Sequence, residues 1–276
     1  MSTSTLVGHF QGGLHMRTGR ALAVAVVSLA LGSATFAAIK TKEVEYRQGE
    51  TRLQGFFAWD DAVKGKRPGV LVVHEWWGHN EHARNQAKRL AEAGYVGFAL
   101  DLYGKGKVAT HPKDAEAFMT EATKDPAVLT ARFNAALDQL KKNSRVDPAK
   151  IAAIGYCFGG AVVLGQARAG ADLAAVASFH GLLATQTPAE PGKVRARILV
   201  QTGEDDPMIP AAQVEAFKSE MMAAGAKFEV VSYPGAKHSF TNPHADAAGM
   251  AALAYNHDAD QKSWEKMLEV FKEVFR

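Results

Sequence analysis

The sequence predicts an α/β fold with a mostly parallel central sheet and helices on both faces. Short apolar runs of strand length alternate with amphipathic segments of helix length, which is the pattern of βαβ units. Several runs are uninterrupted, such as residues 69–74, and a continuous apolar run is typical of a strand buried on both faces. Polar residues follow these runs directly, and ligands on parallel sheets bind beyond the carboxyl ends of the strands.

Eight runs are predicted as strands: 43–48, 53–59, 69–74, 95–100, 150–156, 173–179, 197–201 and 227–233. The first two flank a turn at Gly49 and are expected to form a hairpin. Six segments are predicted as helices: 81–93, 113–123, 126–143, 161–168, 210–224 and 258–276. Gly94 is expected to end the first helix. In the third, apolar residues recur at helical spacing, at Leu129, Phe133, Leu137 and Leu140.

Composition narrows the possible partners. The chain has 276 residues, 47% hydrophobic and 22% charged, which is ordinary for a globular protein with a large core. The net charge is +3 and the basic residues are scattered, so nucleic acid is not an expected partner. The single cysteine allows no internal disulfide. His74 and Glu75 begin like a zinc-binding H-E-x-x-H motif, but position 78 is Gly, so we expect no metal. We also expect the protein to be a monomer.

The first 38 residues are expected to be a secretory signal peptide. Two arginines precede the apolar run 21–31, and small residues follow it, which is the pattern of such signals. The run is too short to span a bilayer comfortably. Cleavage is expected near Ala37, and Met16 is a possible true start; an uncleaved anchor is the alternative. Residues 39–276 would then form an exported domain, periplasmic in a Gram-negative bacterium.

The most informative motif is Gly155-Tyr156-Cys157-Phe158-Gly159. It follows a predicted strand, precedes a predicted helix, and is the cysteine form of the G-x-S-x-G nucleophile elbow. Glycines are needed because side chains there would collide with the crossing strand and helix. The helix N-terminus would favour a thiolate and supply an oxyanion donor. A buried, inert cysteine between chance glycines is the alternative.

An acid and a base follow the nucleophile, each after a later strand. Asp206 and His238 stand in the order nucleophile, acid, base that α/β hydrolases use. Cys157 would attack a carbonyl carbon, and His238 would hold the thiol proton and later activate water. Asp206 would orient and stabilise the imidazole. Asp205 and Glu204 are alternative acids, and His238 alone could be a surface-loop histidine.

The chain resembles the dienelactone hydrolase family from about residue 43 to 276. The matching stretches are 74–78, 101–103, 155–160, Asp206 with Pro210, and Gly235 with His238-Ser239-Phe240. The resemblance implies an α/β-hydrolase fold and carboxymethylenebutenolidase-like hydrolysis of a small lactone or carboxylic ester. The implied reaction passes through an acyl-cysteine intermediate and uses no cofactor.

The resemblance also implies a role for Glu75 as an auxiliary base that takes the thiol proton when substrate displaces it. From the residues alone, Glu75 is an acid at the end of a buried strand, next to two tryptophans, where a proton acceptor is favoured. A salt-bridged structural glutamate is the alternative. The oxyanion hole is expected to be the backbone N–H of Phe158 and, by resemblance, that of Trp76.

The predicted substrate pocket lacks the positive charge with which the family binds a substrate carboxylate. Family lactonases hold a substrate carboxylate with arginines, one of them four residues after the catalytic histidine, where this chain has Asn242. Residues 114–123, where a second is expected, contain none, and an amide cannot replace the charge. Pocket walls are expected from Asn242 and several aromatic residues, which could equally be core: Trp76, Trp77, Tyr103, Phe158 and Phe240. His74, His79 and His180 are expected to be structural.

Two other functions stay open on these residues. A thioesterase or peptidase could use the same fold and triad. A catalytically silent binding protein would require a damaged triad, and none is visible. A thiol redox role lacks a resolving cysteine.

Overall fold

The computed structural model describes Gly8 and residues 38–276, so the predicted signal peptide lies outside the described residues. In the described part, eight strands form one sheet. Their bounds are β1 Ile39–Gln48, β2 Thr51–Asp60, β3 Arg67–Val73, β4 Val96–Leu100, β5 Val146–Tyr156, β6 Ala175–Phe179, β7 Arg197–Gly203 and β8 Phe228–Tyr233. No helix among residues 38–276 combines the length and hydropathy needed to cross a bilayer.

The strands lie in the order β1-β2-β4-β3-β5-β6-β7-β8. The six strands from β4 to β8 in this order are parallel, and the β1–β2 hairpin joins the edge of β4 antiparallel. The carboxyl ends of the parallel strands therefore meet at one edge of the sheet. The predicted α/β fold, mostly parallel with helices on both faces, is confirmed.

Six α-helices and one short 3₁₀ helix lie between the strands or after the last strand in the described part. They are α1 Glu81–Glu92, α2 Pro112–Thr123, α3 Pro126–Lys142, α4 Phe158–Arg168, α5 Ala211–Ala223, the 3₁₀ helix Ala245–Ala248 and α6 His257–Val274. Asn80 and Asp125 cap α1 and α3, because their side chains accept hydrogen bonds from N–H groups of the first turn. Gly94 follows α1 with a φ of 91°, as predicted for a helix stop.

The core lies in two layers, one on each face of the sheet. Alternate residues of β3 enter opposite layers, with Leu71 and Val73 in one and Val70 and Val72 in the other. Helices α1 and α6 cover the second layer, whereas α3, α4 and α5 cover the first. Burial on both faces explains why β3 is a continuous apolar run rather than an alternating one.

Strand β5 is longer than predicted. It begins at Val146, four residues before the expected start at Lys150. The sequence at Pro148 is typical of a loop, because proline donates no ladder hydrogen bond. The structure accommodates it with a shift of the β3–β5 register between Pro68 and Gly69. The pairing is regular again from Ile151, so the nucleophile elbow at the far end of the strand keeps its predicted position.

Candidate active site

Cys157 stands at a strained turn between β5 and α4. Its φ of 52° and ψ of −115° lie outside the regions that L residues favour. A Cβ on Gly155 would lie 2.1 Å from the carbonyl oxygen of Gly159, and one on Gly159 would lie 2.3 Å from that of Val73. Both glycines are therefore required by close backbone contact. Since the side chain of Cys157 is partly exposed, the sulfur is open to a substrate.

His238 is held against Asp206 on the loops after β8 and β7. The imidazole Nδ1 lies 2.8 Å from Asp206 Oδ2, and both side chains are buried. The other carboxylate oxygen, Oδ1, accepts the backbone N–H of Met208 at 2.9 Å. The alternative acids, Glu204 and Asp205, are exposed. Of the three candidate carboxylates, Asp206 is therefore the one that lies against the imidazole.

The charge state of His238 depends on Cys157 as well as on Asp206. Nε2 of the His238 ring is buried and makes no well-aligned hydrogen bond within residues 38–276. Burial alone lowers the pKa of His238, but the charge of Cys157 and the hydrogen bond to Asp206 outweigh it and raise the pKa to about 10. Cys157 is the largest of these raising influences, so the sulfur lies close enough to affect the charge of the ring. The arrangement favours the imidazolium form of His238.

This interaction predicts an unusual titration for His238. A raised pKa means that the charged form is favoured, so the ring should stay protonated as the pH rises past 6.5 and deprotonate near pH 10. In Cys157→Ala the largest raising influence is gone, and His238 should deprotonate at a clearly lower pH. NMR of the histidine ring protons across this range measures both values. Identical titration in the two proteins would contradict an effect of the sulfur on the charge of the ring.

A second histidine supports the elbow. His180, on the loop after β6, accepts the backbone N–H of Cys157 on Nδ1 at 3.1 Å. Its proton must therefore be on Nε2, which lies 2.8 Å from Thr241 Oγ1 and donates to it. Burial, followed by the charge of His238, lowers the pKa of His180 well below its usual value. His180 is thus a neutral bridge between the elbow and the loop that carries His238, whose ring centroid is 5.2 Å away.

Sequence reasoning assigned His180 no role at the site, although it follows a strand end as Asp206 and His238 do. Its contribution depends on a left-handed backbone that the sequence does not reveal. Outside glycine, positive φ values in the described part occur at Cys157 (52°), His180 (42°) and Ser239 (57°). All three lie at this site, and such strain persists only where surrounding contacts hold it in place.

Glu75 is buried at the carboxyl end of β3, where two neutral side chains hold it. Ser239 Oγ donates to Oε1 at 2.8 Å, and Asn242 Nδ2 donates to Oε2 at 2.7 Å. The alternative of a salt-bridged glutamate has no support among residues 38–276, where no ion pair involves this side chain. His74 fixes the adjacent backbone, because its Nδ1 lies 2.6 Å from the Glu75 carbonyl oxygen.

The two expected oxyanion donors are the backbone N–H groups at the start of α4 and in the turn after β3. Phe158 is the first residue of α4, where N–H groups have no helical partner. Trp76 follows Glu75, and its carbonyl oxygen accepts the hydroxyl of Tyr103 at 3.0 Å. Neither N–H donates a hydrogen bond to a group in residues 38–276. Both are therefore available to a developing oxyanion.

The predicted pocket residues fall into two groups. Trp76 and Trp77 are partly exposed, and Tyr103 stacks on Phe158 with ring centroids 5.9 Å apart. Phe240 is fully buried and packs on His180 and Tyr233, so it stabilises the loop that carries His238. Asn242 is buried with its amide on Glu75, as described above. No group of three or more metal-ligating side chains lies together in the described residues.

Comparisons with known proteins show which family the chain belongs to. A family model described as the dienelactone hydrolase family matches residues 53–275. "Protein usf" of Aquifex pyrophilus is 30% identical over 236 residues, which cover 83% of this chain and 97% of that protein. A solved dienelactone hydrolase-like promiscuous phosphotriesterase from metagenomic libraries is 37% identical, with a TM-score of 0.82, over 87% of this chain and 99% of that one. The structure of m3DLH is 40% identical, also with a TM-score of 0.82, over 86% and 99%.

Proposed function

The chain belongs to the dienelactone hydrolase family, and we propose that it hydrolyses a small lactone or carboxylic ester through an acyl-cysteine intermediate. The family makes it a dienelactone hydrolase-like hydrolase; the covalent mechanism is our proposal. The observation that supports this mechanism is the buried imidazole of His238, whose Nδ1 lies 2.8 Å from Asp206 Oδ2. The pKa of this imidazole is raised most strongly by Cys157. A sulfur nucleophile, a base and an orienting carboxylate are the parts that acyl transfer requires.

Acylation begins when the thiolate of Cys157 attacks the carbonyl carbon. The C–S bond forms as the C=O π electrons move to oxygen, and the N–H groups of Phe158 and Trp76 stabilise the oxyanion. Collapse of this intermediate breaks the bond to the alcohol oxygen. His238, which holds the former thiol proton, gives that proton to the leaving oxygen. The alcohol is released, or stays attached through the acyl chain if the substrate is a lactone.

Deacylation reverses these roles with water as the nucleophile. His238 removes a proton from water as its oxygen attacks the thioester carbonyl, and the same two N–H groups stabilise the second oxyanion. The C–S bond then breaks, and the thiolate and imidazolium are restored as the acid leaves. Asp206 keeps the Nδ1 proton in place throughout, so Nε2 always faces the reacting atoms.

Glu75 is proposed as an auxiliary base near the nucleophile. Its carboxylate is buried at the end of β3, whose last carbonyl group contacts Gly159 of the elbow turn. A carboxylate in this position can accept the thiol proton from the fraction of enzyme molecules in which Cys157 is protonated. The hydroxyl of Ser239 and the amide of Asn242 would hold it in position until then.

Rapid-quench mass spectrometry on a panel of aryl esters, lactones, thioesters and peptides tests the covalent step. We expect a transient adduct with the mass of the acyl group on Cys157, which is the only cysteine and is therefore unambiguous. Protein alkylated with iodoacetamide serves as the control and should form no adduct. Turnover only of thioesters or peptides would favour the alternative enzymes. Rapid labelling of the thiol without turnover of any panel member would favour a binding protein and contradict the proposal.

A further inference from the structure

The buried carboxylate of Glu75 has only neutral partners, which is an unusual arrangement. It is 1% exposed, and both oxygens are occupied, one by the Ser239 hydroxyl and one by the Asn242 amide. A buried carboxylate is normally paired with a cation, because the loss of hydration is otherwise costly. Here hydrogen bonds hold the group without cancelling its charge. Both oxygens accept, so the negative charge of Glu75 has no cationic partner in this clamp.

The orientation of the Asn242 amide is fixed from both ends. Its Oδ1 accepts the backbone N–H of His244 at 3.0 Å, so its Nδ2 must face Glu75. The loop is held further by the N–H of Asn242, which donates to the carbonyl oxygen of Ser239 at 2.9 Å. Ser239 directly follows His238 in the sequence. The clamp on Glu75 is thus built into the loop that carries the general base.

The cations nearest to the motif loops are engaged in other contacts. Arg84 pairs with Glu43 at 2.6 Å, and Lys105 pairs with Glu45 at 2.7 Å. Arg132 donates to the carbonyl oxygen of Leu102 at 2.6 Å. Lys107 Nζ lies over the Phe118 ring, 5.8 Å from its centroid. Among residues 38–276 no lysine or arginine forms an ion pair with Glu75 or Asp206.

Apolar side chains stand on the loops around this site. Three of the five exposed large hydrophobic residues in the described part are on loops beyond the carboxyl ends of the strands: Val108, Leu182 and Met208. Val108 forms a backbone bridge with Gly78, next to the partly exposed Trp77. Met208 donates its N–H to Asp206. Their positions suit an apolar substrate better than a charged one.

We propose that this site selects uncharged, apolar esters or lactones and discriminates against substrates whose acyl chain carries a carboxylate, with Asn242 as the specificity-determining residue. The inference rests on the proposed hydrolase function. A substrate carboxylate would lose its hydration without gaining a cationic partner. It would also be repelled by the charge on Glu75, and this repulsion is strong where water is excluded. The acid product is repelled in the same way, which favours its release.

A matched pair of substrates tests the selectivity. Mono-4-nitrophenyl adipate and its methyl ester share one skeleton and one leaving group, and differ only in the charge at the far end. We expect kcat/KM to be at least about tenfold higher for the methyl ester, from charge repulsion at an intermediate effective dielectric constant. Asn242→Arg should shrink this ratio about tenfold, mainly through a lower KM for the free acid. Asn242→Gln is the matched control and should preserve the ratio, because it adds no charge.

A second variant keeps the test decisive if the arginine disturbs folding. Glu75→Gln removes the negative charge with little change in the shape of the side chain. It should also lower the ratio of kcat/KM for the methyl ester to kcat/KM for the free acid, independently of its effect on kcat. Equal kcat/KM for acid and methyl ester in the unmodified enzyme would overturn the inference and leave the hydrolase function standing. Failure to turn over any aryl ester would instead overturn the proposed function. Unchanged ratios in both Asn242→Arg and Glu75→Gln would show that selectivity arises elsewhere.

Discussion

Cys157→Ala is expected to abolish ester and lactone hydrolysis while leaving the fold intact. The sulfur is the proposed nucleophile, and removing a nucleophile costs on the order of 10⁴-fold or more in kcat in enzymes of this type. The fold should survive because the side chain is partly exposed and belongs to neither layer of the core. Steady-state kinetics with an aryl ester measures the loss. Circular dichroism and thermal unfolding should match the unmodified protein closely.

The single cysteine provides an internal control for this prediction. When the unmodified protein is titrated with iodoacetamide, activity should fall in proportion to labelling and reach zero at one label per chain. Cys157→Ala should neither label nor turn over substrate. Activity that survives complete labelling, or full activity in Cys157→Ala, would remove the nucleophile assignment and with it the acyl-cysteine mechanism.

The sheet could be predicted because burial on both faces leaves a strong local pattern. In β3 every apolar residue enters one of two layers, so the run Val70 to Val73 has no polar interruption. The same logic places Cys157, Asp206 and His238 at one edge, because each follows the carboxyl end of a parallel strand. Nearness in space follows from topology here and requires no knowledge of side-chain geometry.

The partners of these residues could not be predicted in the same way. Asn242 and Ser239 reach Glu75 across more than 160 positions of sequence, and their contacts depend on how two loops turn. Asn242 was expected at the pocket wall because of its position after His238. In the structure its side chain is turned by the N–H of His244 and holds the carboxylate instead.

The role of His180 could not be predicted from the sequence for a related reason, which is its local backbone conformation. A histidine with a positive φ has no sequence signature, because the backbone is held there by Thr241 and by the N–H of Cys157 rather than by its own preference. Such residues are recognised only when the surrounding structure is known. The register shift that lets Pro148 enter β5 is of the same kind, since it depends on the neighbouring strand.

Asp206→Asn is expected to lower kcat by about 10³- to 10⁴-fold with little change in KM. In the unmodified protein Oδ1 of Asp206 accepts the N–H of Met208, and Oδ2 faces Nδ1 of His238. An amide would keep its oxygen on the Met208 N–H and direct its NH₂ group toward His238. Nδ1 would then have to accept, which moves the ring proton to Nε2. An Nε2 that carries a proton cannot take one from the thiol or from water.

The neighbouring Asp205 supplies a matched control for this change. Asp205→Asn removes the same charge one residue earlier, but its side chain is exposed, so kcat should stay within about twofold. Steady-state kinetics separates kcat from KM, and NMR of the His238 ring reports the tautomer in each variant. A large loss in both variants would indicate a general effect of charge on this loop. Normal kcat in Asp206→Asn, with the proton still on Nδ1, would mean that another group orients the imidazole.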